Sequence, residues 1–180
     1  FSYKNEMYLN VTALNNGIDL MQAFKYIPDL SFKKWTDENI TTGYATNVKF
    51  GYYGPFRPVM DGINGNPYFD ITANFEDLTL TYLDNLPAIT NGKGLFKMLK
   101  KDIDISIDSA KTSEQNIKRG SVRIAPLFEK GVFPAITIKS LSSGSIEDVL
   151  TVVDKKLNLN QNELFKHYKG TQETQTTIVL

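Results

Sequence analysis

From Phe75 to Ser109 apolar and polar residues take turns. Ile103, Ile105 and Ile107 alternate with Asp102, Asp104, Ser106 and Asp108. Period two without a slip predicts a strand with one apolar and one wetted face. Upstream, Leu78, Leu80 and Tyr82 alternate with Thr79 and Thr81, which predicts a second strand. Between them lie Asp84-Asn85-Leu86-Pro87 and Asn91-Gly92-Lys93-Gly94, both with turn chemistry.

The alternation recurs along the chain. Tyr3, Met7, Leu9, Val11 and Ala13 oppose Lys4, Glu6, Asn10 and Thr12, and Asn15-Asn16-Gly17 ends that strand. Val48, Phe50 and Tyr52 oppose Asn47, Lys49 and Gly51, and Phe69, Ile71, Ala73 and Phe75 form another apolar series. At Glu76-Asp77 the apolar parity flips from odd to even, which predicts a bulge or bend. Val122 with Ile124, and Ile136 with Ile138, predict two further strands. Residues 54–67 and 110–119 read as loop and connector, Ser142-Ser143-Gly144 as a turn, and 158–175 as loop or weak helix. The closing Thr176-Thr177-Ile178-Val179-Leu180 reads as the start of a strand.

Helical signals are few. Asp19 is placed to cap a short helix carrying Leu20, Met21 and Phe24, with Gln22 in capping-box position and Pro28 as the stop. Ser31 is placed to cap a second helix through Asn39, with Phe32 and Trp35 on one face and Gly43 closing it. Ser145 and Asp148 form a capping box ahead of Ile146, Val149, Leu150 and Val153, spaced i, i+3, i+4, i+7. The expected fold is a β-rich α+β one: a curved antiparallel sheet with two or three short helices. It forms one segment over residues 1–180, with a helical insert at about 18–40 and a helix at about 145–156.

Composition narrows the function classes. The 180 residues carry 20 Lys and Arg against 20 Asp and Glu, so the chain has no net formal charge. The basic residues are scattered, and nothing argues for nucleic acid as a partner. Cysteine is absent, which excludes disulfides, thiolate catalysis and zinc–thiolate sites. Two sequons, Asn10-Val11-Thr12 and Asn39-Ile40-Thr41, matter only in a eukaryotic secretory setting. No apolar run approaches the roughly 20 residues of a membrane-spanning helix. Both ends fall inside alternating segments, so the expectation is a piece cut from a longer chain.

Catalytic signals are weak. The single histidine, His167, lies in a polar stretch without a marked nucleophile or orienting acid. The aspartates at 102, 104 and 108 resemble a calcium loop, but Ile107 stands where that loop needs Gly and Ser113 where it needs Glu. Gly92-Lys93 and the Gly62–Gly65 stretch lack the spacing of phosphate or dinucleotide loops. Glu76-Asp77 and Glu147-Asp148 are adjacent pairs whose members point apart in a strand or helix. Trp35 suits stacking on a sugar or base, but the favoured expectation is a helix packing against the sheet. The expectation is a non-enzymatic protein without metal or cofactor; a hydrolase using His167 or a carboxylate pair is the remaining enzymatic reading.

Three blocks carry a family resemblance: Trp35, Glu38, Asn39, Ile40 and Gly43; Phe75 to Thr90; and a strand leading into Ser143-Gly144-Ser145-Ile146-Glu147-Asp148-Val149-Leu150. In order and spacing they resemble the AsmA-like superfamily of Gram-negative envelope proteins, which includes the YhdP and TamB types. The resemblance is to the YhdP type, and to its alphaproteobacterial members in particular. It implies an internal segment of a large periplasmic protein, anchored in the inner membrane outside this segment. It implies a long curved sheet whose apolar groove takes phospholipid toward the outer membrane, with phospholipid and adjoining segments of the parent chain as partners. No catalytic residue is inherited. The chain departs from the family pattern in its Lys- and Asn-rich surface.

A groove needs oil-facing strand sides. The candidate wall is Phe69, Ile71, Phe75, Leu78, Leu80, Ile103, Ile105, Ile107, Val122, Ile124, Ile136 and Ile138. Strands of seven to nine residues span roughly 23–30 Å, enough for an acyl chain. The competing expectation is a closed α+β interaction module, in which helices around Phe24, Trp35 and Val149 cover the same residues.

Overall fold

The computed structural model describes residues 6–14, 17–24, 37–55, 68–81, 87–99, 102–112, 115–126, 135–157, 159–165 and 167–179. Nine strands form one open antiparallel sheet. They are β1 (Glu6–Ala13), β2 (Ile18–Asp19), β3 (Ile40–Pro55), β4 (Tyr68–Leu80), β5 (Ile89–Leu99), β6 (Asp102–Thr112), β7 (Gln115–Ala125), β8 (Ala135–Ser145) and β9 (Thr171–Val179). The order is β1-β3-β4-β5-β6-β7-β8-β9, with β2 pairing β3 beyond the end of β1. The helices are α1 (Leu20–Phe24), α2 (Ile146–Leu157) and α3 (Asn162–Phe165). Residues 37–39 are also helical and lead into β3.

The meander places the helices at one end of the strands. α1 follows β2, which pairs Ala45 and Tyr44 near the start of β3. α2 leaves the last residue of β8 and, with α3, precedes the first residue of β9. Asp19 caps α1 as its position predicts: its Oδ1 accepts the backbone N–H of Met21 at 2.8 Å and of Gln22 at 3.2 Å. Asp154, 2% exposed, ties α2 to α3 by accepting the Gln161 N–H at 2.7 Å.

The parity flip at Glu76-Asp77 is a bulge. The β4–β5 register shifts between Phe75 and Leu78, and Asp77 has φ 51°. Asn47 (φ 52°) and Asn91 (φ 51°) sit at equivalent shifts in β3 and β5. Asn and Asp tolerate this left-handed conformation better than other side chains.

Several expected turns are strand. Asn91-Gly92-Lys93-Gly94 lies inside β5, with the bulge at Asn91. The two glycines are there for contact: a Cβ on Gly94 would stand 2.0 Å from the Ser106 carbonyl oxygen and 2.7 Å from the Phe75 ring. Gly43 does not close a helix but belongs to β3, at φ +148°, with Leu20 and Leu78 over it. Residues 110–112 and 115–119 continue β6 and β7, because Ala110 and Ile117 pair and are buried. Ser142-Ser143-Gly144 stays in β8, where buried Ser142 hydrogen-bonds the Gln115 carboxamide. The polar stretch 158–175 holds α3 and the start of β9, which pairs β8 without a register shift. Gly54 and Pro55, expected in a loop, end β3. The parts of the expected elements at 1–5, 25–36, 56–67 and 82–86 lie outside the described residues.

Candidate functional site: an uncharged sheet face

Register assembles the alternating isoleucines into rows. One row runs Val11, Phe50, Ile71, Met98, Ile103, Ile124, Ile136, each paired with the next. It crosses seven adjacent strands, about 29 Å at a spacing of about 4.8 Å. Beside it lies Ala73, Phe96, Ile105, Val122, Ile138. A third row, Ala45, Phe75, Gly94, Ile107, Gly120, Ser140, alternates bulk with glycine toward its far end. Leu78 pairs Gly92, and Leu80 pairs Ile40, continuing the face to the helix end.

The candidate wall residues other than Phe69 therefore share one side of one sheet. Phe69, the remaining one, pairs Tyr52 through its backbone in β4. Sequence reading missed Phe96 and Met98 because Leu95 and Leu99 occupy the opposite parity of β5 and blur the alternation. It placed Val11 and Phe50 on apolar strand faces but not in the wall. Their membership follows from pairing to Ile71, which no local pattern reveals.

Charge separates the two faces completely among the described strand positions. The side bearing the isoleucine rows holds Leu, Ile, Val, Phe, Met, Ala and Gly, with Tyr52 beside Phe50. Toward β9 it turns to Ser140, Ser142, Gln172, Thr174 and Thr176, still without a charge. The opposite side carries the ions. Arg123 reaches Asp102 at 2.8 Å and Asp104 at 3.1 Å, so these aspartates pair with a guanidinium and do not gather as metal ligands. Lys93 pairs Glu76 at 3.1 Å. Lys118 pairs Glu173, and the hydrogen bond and charge of its ammonium hold that exposed carboxyl below its ordinary pKa. No group of metal-ligating side chains occurs among the described residues.

Burial along the uncharged face is graded. At the helix end Ile40, Ala45, Phe75, Ala110 and Ile117 are buried. There Leu20 of α1 lies over Gly43. Away from that end Ile71, Phe96, Met98, Ile105, Val122, Ile124, Ile136 and Ile138 are only half-buried, although Ile103 and Tyr52 are buried. Extended helix contacts among the described residues are confined to β2, β3 and β8. No described helix packs along β5, β6 or β7; of the residues expected to cover a closed module, Trp35 and the Phe24 side chain lie outside the described residues. Among the described residues, shallow depressions of about 150 and 240 Å³ lie around Gly51 and around Arg119 to Gln175, both centred on the charged side. His167 is exposed, and its backbone N–H donates to the Leu164 carbonyl.

The family described as YhdP protein matches the chain over residues 1–180. No curated protein and no solved structure matches it.

Proposed function

The chain belongs to the YhdP family, and from that premise we propose that its uncharged sheet face is a segment of a lipid-conducting groove. In this reading the sheet curves into a trough, and phospholipid acyl chains lie across the strands along the isoleucine rows. The parent is an inner-membrane-anchored protein of the periplasm, with its anchor outside this segment. Adjoining segments of the same chain extend the trough toward the outer membrane. The segment performs no covalent chemistry and needs no cofactor.

One observation carries the proposal: a row of large apolar side chains crosses seven strands on a face without a charge. Each methylene moved from water onto such a wall gains about 0.8 kcal/mol at full burial. The contacts are non-directional, so a chain held by them slides from one strand to the next without breaking a specific bond. A charge on the same face would interrupt that path, because an unpaired ion facing hydrocarbon costs several kcal/mol.

Extraction of the chain purified without detergent tests the reading. Co-purifying phospholipid at near-stoichiometric level is expected, and it is lost in Ile105→Asp while Ser106→Asp retains it. Absence of lipid from the unsubstituted chain, together with no uptake of a hydrophobic dye, favours the closed interaction module instead.

A further inference from the structure

We infer that hydrocarbon follows one row of this face, Ala73, Phe96, Ile105, Val122 and Ile138, and that the segment holds one tail at a time; the inference rests on the proposed lipid groove. A guest gains free energy where apolar surface is still in contact with water, at about 25 cal/mol per Å². The three rows differ in that respect. In the third row, nearest the helix end, the protein has filled its own recesses. Phe75 lies over Gly94, where an added Cβ would stand 2.7 Å from the ring, and Ile107 lies over Gly120, 3.4 Å from an added Cβ. Ala45, Phe75 and Gly94 are buried there. The first row is half-buried at Ile71, Met98, Ile124 and Ile136, but Ile103, 2% exposed, breaks it in the middle of the sheet. Between these two, every member of the second row is half-buried, on consecutive strands from β4 to β8.

Continuity turns that difference into a path. A sliding chain keeps its hold when each strand offers apolar surface next to that of the last. The second row does so over about 19 Å, four intervals of about 4.8 Å. Its β4 end lies at the β3 bulge, where the register shifts between Thr46 and Lys49 and Asn47 has φ 52°. Rows on one side of a sheet stand about 6.8 Å apart, two residues of about 3.4 Å rise. Carbon atoms in contact sit about 3.5–4.0 Å apart. One polymethylene chain therefore fits the strip. A second beside it would lie on Ile103 or on the Phe75–Gly94 contact, which have little surface left to cover.

Palmitate added to the chain reads the path through nuclear Overhauser contacts, with protein protons replaced by deuterium except at the Ala, Ile and Val methyl groups. The strongest contacts are expected at Ile105, Val122 and Ile138, weaker ones at Ile124 and Ile136, and none at Ala110 or Ile117. Native mass spectrometry is expected to show one palmitate per chain. Val122→Thr exchanges a methyl for a hydroxyl at nearly constant shape and weakens palmitate binding about threefold or more, whereas Ile117→Val, in the buried helix-end zone, changes it less than about twofold. Equal contacts at Ile105 and Ile117, contacts strongest at Ile124 and Ile136, two palmitates per chain, or an unchanged affinity in Val122→Thr overturns the single path and leaves the groove intact. No bound palmitate, or bound palmitate without contacts to any methyl of the three rows, overturns the groove reading, and this inference falls with it.

Discussion

Gly94 shows how closely the residues of the wall fit. Its hydrogen faces the Phe75 ring and the Ser106 carbonyl, and no methyl group has room there. Gly94→Ala pushes the β5 backbone off β6 or the Phe75 ring off its seat, and overpacking of this kind costs about 2–3 kcal/mol. Gly51→Ala is the control, because its Cβ would meet the nearest atom, Asp70 Cβ, at an ordinary 3.4 Å. Urea titration of both variants is expected to show a large loss of stability for the first and less than about 1 kcal/mol for the second. Equal losses would mean that the Phe75–Gly94 contact does not anchor the face.

Among the elements, β4 and β5 keep one apolar side through a change of parity because their bulges absorb the extra residues. Asp77 carries the β4 bulge in the left-handed region. Asp77→Gly relieves that conformation and is expected to be neutral or stabilising. Asp77→Val adds a β-branched side chain where φ is positive, and is expected to cost about 1–3 kcal/mol in thermal or urea unfolding. A neutral Asp77→Val would place the bulge elsewhere. The β4 bulge was legible in the sequence because the apolar parity changed hands across Glu76-Asp77. β6 was legible because Ile103, Ile105 and Ile107 oppose three aspartates and a serine. β5 was not, because its bulge and close contacts use Asn91, Gly92 and Gly94, the residues that elsewhere make turns. The end of β9 was legible from Thr176 on, but its start was not, because Thr171–Gln175 has no apolar member to mark an inward side; its strand state comes from pairing with β8. The candidate wall was legible strand by strand, whereas its continuity across seven strands is a property of register.

For the whole molecule, the described strand positions give the sheet's two sides opposite character. Ions and shallow depressions lie on one side, the uncharged rows lie on the other, and the described helices gather at one strand end. In the proposed reading this separation has a simple physical basis: one side faces water, while the reverse side takes hydrocarbon. The most direct test places a photoreactive benzoylphenylalanine at Ile105 or at the neighbouring Ser106 and irradiates cells expressing the protein. The account predicts phospholipid adducts from position 105 and none from 106. Adducts from both positions, or from 106 alone, would contradict it.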